Sequence, residues 1–285
     1  MDIDFLRSEV AAKIAKLLQD DQMPSLCATF RKEAGIVWHR MTKASQLGLA
    51  LSEETITECV LYNIALAHQG EGIVVDLATK SAEAKHGADW EWWFTKGNKG
   101  RCFRVQAKRL FPGGAYNSLF KSTANPYQQL DKLVAISGKA GFEPLYCFYN
   151  FVASPYSMPV PNLCQHHYYG PSFWGCSLAF PEVVKQARSN KLVDLKQYMY
   201  PWHYLVCGVD ECDALPASTG RFVMANRNRD ALELQSVPDR VLRLVELGQQ
   251  RREFSGRSYL DYEYWTDGSM KGNELAGLVV FQDER

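Results

Sequence analysis

The chain has 285 residues, 46% hydrophobic, 22% charged and 12% aromatic, which is enough apolar material for a core and excludes disordered or collagen-like chains. Lys and Arg number 32 against 32 Asp and Glu, so bulk attraction to a polyanion is excluded and any nucleic-acid site has to be a local patch. No run reaches the roughly 18 to 20 unbroken apolar residues of a membrane span. Met1-Asp2-Ile3-Asp4 opens on acids, unlike a secretory signal. These features predict a cytoplasmic protein with no membrane partner, its cysteines held as thiols.

In chain order, Phe5, Val10, Ile14, Leu17 and Leu18 lie at near-helical spacing within 4–19, and 26–49 continues with helix-favouring composition. Residues 1–50 are therefore expected to form an N-terminal helical layer. Ser52, followed by Glu53, Glu54 and Thr55 and then by Ile56, Val60 and Ile64, predicts a first core helix over 52–68. Gly70 and Gly72 end it, and 73–78 has the β-branched density of a strand. Strands follow at 89–94 and 101–109 around the turn-rich 95–100, then a helix opening at Asn125-Pro126 and a strand at 144–151. The order helix, strand, strand, strand, helix, strand thus occupies 51–152. Beyond it, 153–171 reads as a surface excursion, with a helix at 178–188, a strand at 203–209, an amphipathic helix at 237–250 and a closing strand at 278–282. Residues 153–285 are expected to extend the sheet or to form an accessory region.

The hairpin carries the chemistry. Setting Phe94 opposite Arg101 sorts the side chains onto two faces. Trp90, Trp92, Phe94, Phe103, Val105 and Ala107 form an apolar face, whereas Asp89, Glu91, Arg104, Gln106 and Lys108 share the other with Trp93 and Cys102. Asp89 then stands opposite Gln106, where facing Cβ atoms are about 4.5–5.5 Å apart, with Lys108 two residues further along. Oxygen ligands beside an ammonium suit a hard cation and phosphoryl chemistry. Glu91 facing Arg104 reads as a cross-strand ion pair.

Gly87-Ala88-Asp89 followed by Val105-Gln106-Ala107-Lys108-Arg109 resembles the PD-(D/E)XK nuclease superfamily, most closely its Mrr-like restriction endonuclease branch with Gln in the third position. The set Glu54 to Thr57, Gly87 to Trp90 and Gln106 to Arg109 is also similar to an uncharacterised bacterial nuclease-like family. The resemblance covers about residues 52–151. It implies an α/β restriction-endonuclease-like core, a mixed central sheet flanked by helices. It further implies Mg²⁺, replaceable by Mn²⁺, held by Asp89 and Gln106, with Lys108 as catalytic lysine and an acid from the first core helix completing the site. Ala88 stands where the family has proline, and the amide of Gln106 replaces an acid, so a second carboxylate is required. Glu54 is the first choice and Glu58, four residues on and on the same helix face, the second. Acids in a first helical turn are also favoured by the helix dipole without any function.

By the same resemblance the substrate is nucleic acid, DNA before RNA, in bacterial defence against phage, with a homodimer and an activating partner or ligand as assemblies. Arg104, Arg109, Lys96, Lys99 and Gln128 are the residues expected to meet it, within a local excess of basic side chains over 85–109. Two other readings compete. One is a non-catalytic nucleic-acid or partner-binding module on this fold. The other is a Cys/His or zinc-dependent enzyme using Cys164, His166, His167, Cys176, Cys207 and Cys212, whose spacing fits no standard zinc arrangement.

Overall fold

A computed structural model describes residues 25–68, 74–76, 88–120, 125–151, 170–207, 215–227, 233–243, 246 and 278–282. The helix expected at 4–19 and the excursion at 153–169 lie outside the described residues. The first described helix, α1 (Leu26–Gln46), starts where Ser25 Oγ accepts from Ala28 N at 3.2 Å. It buries Phe30, Ala34, Val37 and Met41, spaced by four, three and four residues. Helix α2 (Glu53–Ala67) starts behind Ser52, whose Oγ accepts from Thr55 N at 3.0 Å. Among the described residues no helix is long and apolar enough to cross a membrane.

The strands are β1 (Val74–Asp76), β2 (Trp90–Lys96), β3 (Lys99–Arg109), β4 (Glu143–Tyr149), β5 (Cys176–Ala179), β6 (Tyr200–Pro201), β7 (Gln235–Ser236) and β8 (Leu278–Gln282). Helix α3 (Gln128–Ala140) connects β3 to β4 and stops at Gly141, whose φ of 71° is the left-handed cap that glycine adopts without strain. The expected chain order is therefore present, in a mixed sheet flanked by helices. Its spatial order is β1-β8-β2-β3-β4-β5-β6, with β7 on β3. β2 and β3 are antiparallel and β3 and β4 parallel. The closing strand β8 enters between β1 and β2, parallel to β2, so the C-terminal third supplies an inner strand of the same sheet.

The hairpin register is the expected one, with Phe94 opposite Arg101 and Trp90 opposite Val105. Its apolar face joins the main core, where Phe30 of α1 meets Trp92 at 5.8 Å and Trp202 at 4.6 Å between ring centroids. The opposite face is also covered: Trp93 and Cys102 pack with Phe142, Val237 and Val241 in a second, smaller core. Helix α1 comes close enough to Gly175 that a Cβ there would stand 1.9 Å from Ala34 O.

Two expected elements take another form. Leu178 belongs to β5, and the helix over Pro181–Ala187 begins only at its proline, because Phe180 before it is held extended. Residues Trp202–Leu205 form a 3₁₀ turn in place of the start of a strand, with Trp202 buried and its indole N–H donating to Phe30 O at 2.5 Å. A short apolar run suits either form, and burial of its aromatic side chains decides between them.

Candidate active site

Strand β3 outruns β2. β2 begins at Trp90, so β3 continues through Ala107, Lys108 and Arg109 with no partner from β2 opposite. The two N–H groups that this overhang leaves open are taken by carboxylates: Asp89 Oδ2 accepts from Ala107 N at 2.5 Å, and Glu53 Oε2 accepts from Arg109 N at 2.9 Å. Asp89 is itself fixed by its own N–H, which donates to Val105 O at 2.8 Å. Two acids thus cap one strand edge at alternate positions, satisfying donors that would otherwise stay unpaired.

Lys108 is 1% exposed. Its Nζ donates to Ala107 O at 2.6 Å and meets Glu53 Oε1 at 3.4 Å. An ammonium has three donors, so one remains for a ligand. Gln106 is equally buried, and its Oε1 has no hydrogen-bond partner among the described residues. The same holds for the hydroxyl of Tyr146, the residue beside Gln106 on β4. Burial first, and then the Asp89 and Asp131 carboxylates, push the Tyr146 hydroxyl above its ordinary range, so it stays protonated. Burial likewise pushes the Cys147 thiol well up, and Asp89 and Glu53 both add to that shift. Both carboxylates therefore act on one buried point of β4.

The acid that the structure sets against Lys108 is Glu53; Glu54 and Glu58, the acids chosen from the sequence, are both exposed. The signal for Glu53 lay in the helix stripe. Ile56, Thr57, Val60, Leu61 and Ile64 are the buried side of α2, and at 100° per residue Glu53 falls at its centre, with Glu54 about 90° and Glu58 about 130° away. The stripe also carries Thr57, whose Oγ1 bonds Tyr149 Oη at 2.8 Å and ties α2 to β4.

Of the residues expected to meet nucleic acid, Arg109 adjoins the site, its guanidinium 4.0 Å over the Phe111 ring. Arg104 is turned inward: it is 8% exposed and engaged by Glu91 at 2.9 Å, Ile136 O at 3.1 Å and the Phe142 ring. The Glu91–Arg104 ion pair read from the register is present, and Arg240 joins it at 2.8 Å from Glu91. Lys96 and Lys99 are exposed at the far end of the hairpin, about 23 Å along the strand from Asp89, and Lys99 Nζ donates to Ser236 Oγ. Gln128 is exposed at the start of α3.

Asp89, Gln106 and Glu53 offer oxygen donors alone, the kind a hard cation takes. Among the described residues, no group of three or more His, Cys, Asp or Glu side chains is placed to hold a metal ion. Cys164, His166, His167 and Cys212 lie outside the described residues. Cys176 is a core thiol on β5, its pKa driven well up by burial, and Cys207 is buried. Comparison with curated proteins finds no match. A family model matches residues 26–284, and the chain belongs to that family, DUF6615, a family of unknown function.

Proposed function

We propose that the chain is a metal-dependent nuclease that hydrolyses phosphodiester bonds, of DNA before RNA, on a restriction-endonuclease-like core. The observation that carries this reading is the buried, unpartnered Oε1 of Gln106, next in sequence to Ala107, whose N–H donates to Asp89 and whose C=O accepts from the buried ammonium of Lys108. A polar atom left unsatisfied in a protein interior is costly, and a bound ion or water is one way in which such an atom is satisfied. Asp89, Gln106 and Glu53 would hold Mg²⁺ or Mn²⁺ through oxygen alone. Such a cation, when bound, lowers the pKa of water and neutralises charge on phosphate oxygens. Lys108, fixed by a carbonyl and a carboxylate, is set to stabilise charge that develops on the scissile phosphate. Arg109 adjoins it as a phosphate contact. A homodimer, an activating partner and a role in phage defence belong to the same reading and rest on the resemblance alone.

A second reading, a non-catalytic nucleic-acid or partner-binding module, draws on the count of carboxylates: among the described residues the site assembles two, with an amide in place of a third. One experiment separates them. Wild type and Lys108→Ala are incubated with plasmid DNA, single-stranded DNA and RNA, each with Mg²⁺, Mn²⁺ or EDTA. Cleavage that needs metal and disappears in the variant supports the nuclease; identical behaviour of the two proteins on every substrate removes it in favour of the binding module.

A further inference from the structure

Tyr146 stands in register with Gln106 on the neighbouring parallel strand, so the two side chains leave the same face of the sheet side by side, on strands about 4.8 Å apart. Tyr146 is 0% exposed. Its hydroxyl, like Gln106 Oε1, has no hydrogen-bond partner among the described residues. Nearby buried tyrosines differ: the hydroxyl of Tyr149 bonds Thr57 Oγ1, and that of Tyr116 donates to Asn150 Oδ1. The fold therefore satisfies these two buried phenols and leaves that of Tyr146 without a partner among the described residues. What would complete the pair is constrained by its chemistry. An amide oxygen only accepts, a hydroxyl donates or accepts, and the Asp89 carboxylate acts on that same hydroxyl. An anion placed there would gain a donor only from the Tyr146 hydroxyl and would face the obligate acceptor Gln106 Oε1, whereas a hydrated cation presents both a positive charge and water donors that suit both atoms.

We propose that Tyr146 is a further residue of the cation site, a positioning residue whose hydroxyl holds a water of the ion's hydration shell beside Gln106. The inference rests on the reading of Asp89 and Gln106 as cation ligands. It makes Tyr146 the outer partner that such sites use to orient what the direct ligands hold, a role whose loss costs about 10- to 100-fold in metal affinity.

Tyr146→Phe removes the hydroxyl alone. Mn²⁺ binding to the full chain is titrated by electron paramagnetic resonance for wild type, Tyr146→Phe and Asp89→Asn, and thermal unfolding is followed in EDTA and in Mn²⁺. The expected result has two parts. In EDTA the Phe variant melts at or above the wild-type temperature, since an unsatisfied buried group is gone; for Mn²⁺ it binds about 10- to 100-fold more weakly and gains less on heating with the ion. If Asp89→Asn abolishes Mn²⁺ binding and Tyr146→Phe binds like wild type, the role of Tyr146 falls and the metal reading stands. If Tyr146→Phe melts markedly lower in EDTA, the hydroxyl is structural and the inference is overturned. If wild type binds no Mn²⁺, this inference and the metal reading fall together.

Discussion

Two clusters of charge lie on the same face of the same hairpin, two residues apart, and they are built on opposite principles. In the middle of the hairpin, Glu91 is 0% exposed and meets Arg104 at 2.9 Å and Arg240 at 2.8 Å. Arg104 is further engaged by Ile136 O and by the Phe142 ring. At the open end, Gln106 and Lys108 are buried as deeply, yet Gln106 Oε1 and the adjacent Tyr146 hydroxyl go unpartnered among the described residues. Burying a charge is expensive, and complete pairing is how an interior tolerates it. The middle cluster meets that requirement and is structural. Buried charge is thus no marker of a site on this hairpin; what separates the two clusters is the satisfaction of their polar atoms.

The comparison is broken most strongly at Glu91. Glu91→Ala leaves Arg104 buried without its acid and should cost about 3–5 kcal/mol of stability, read as a lower urea midpoint. A variant as stable as wild type would make the middle cluster dispensable and erase the contrast. Next comes Lys108→Ala, which should lower metal-dependent cleavage by roughly 10²–10³-fold, about 2.7–4 kcal/mol of transition-state stabilisation. Its unfolding midpoint should move far less than that of Glu91→Ala, and circular dichroism with initial rates checks both halves. Glu53→Gln should reduce cleavage by about 10- to 100-fold, while Glu54→Gln and Glu58→Gln stay near wild type; equal losses at all three would return the choice of acid to Glu54.

The smallest effect lies away from the hairpin. Burial raises the Glu33 carboxyl above its ordinary value of 4.5, outweighing the hydrogen bond from Asn63 Nδ2 at 2.8 Å. The folded state then keeps a proton that the unfolded state has lost, so stability is highest below 4.5 and falls as pH rises toward the folded value. Glu33→Gln removes that loss, and its advantage over wild type should grow as pH rises through the same window. Urea midpoints at pH 4, 5, 6 and 7 measure it; a difference independent of pH would mean that Glu33 does not titrate in this range.

Much of this was legible in the residues. Alternation over Trp90 to Phe94 and Phe103 to Ala107 set the two faces, and the Gly97-Asn98 turn set the register, because Gly97 takes a φ of 57° that suits the bend of a two-residue hairpin. Asp89, Gln106 and Lys108 followed from that register. The acid did not, although the apolar stripe of α2 already pointed at Glu53: first-turn acids look alike in composition, and the choice depends on the helix's rotation against the sheet. The charge of Arg104 is legible in the sequence but its burial is not, because Arg240, which joins it at Glu91, and Phe142, which covers it, come from other segments of the chain.

Local periodicity and turn chemistry therefore determined the helices, the strands and the hairpin register from Trp90 to Val105, since each depends on neighbours within a few residues. Tertiary structure decided the rest. It slid β8 between β1 and β2, ran β3 past the start of β2, capped the exposed edge with Asp89 and Glu53, and buried both faces of the hairpin. Which polar atoms end up satisfied depends on groups brought together from distant parts of the chain, as Glu53 is to Arg109 and Arg240 to Glu91. No local pattern encodes that outcome, and it is the property that distinguishes the candidate site from the ion pair beside it.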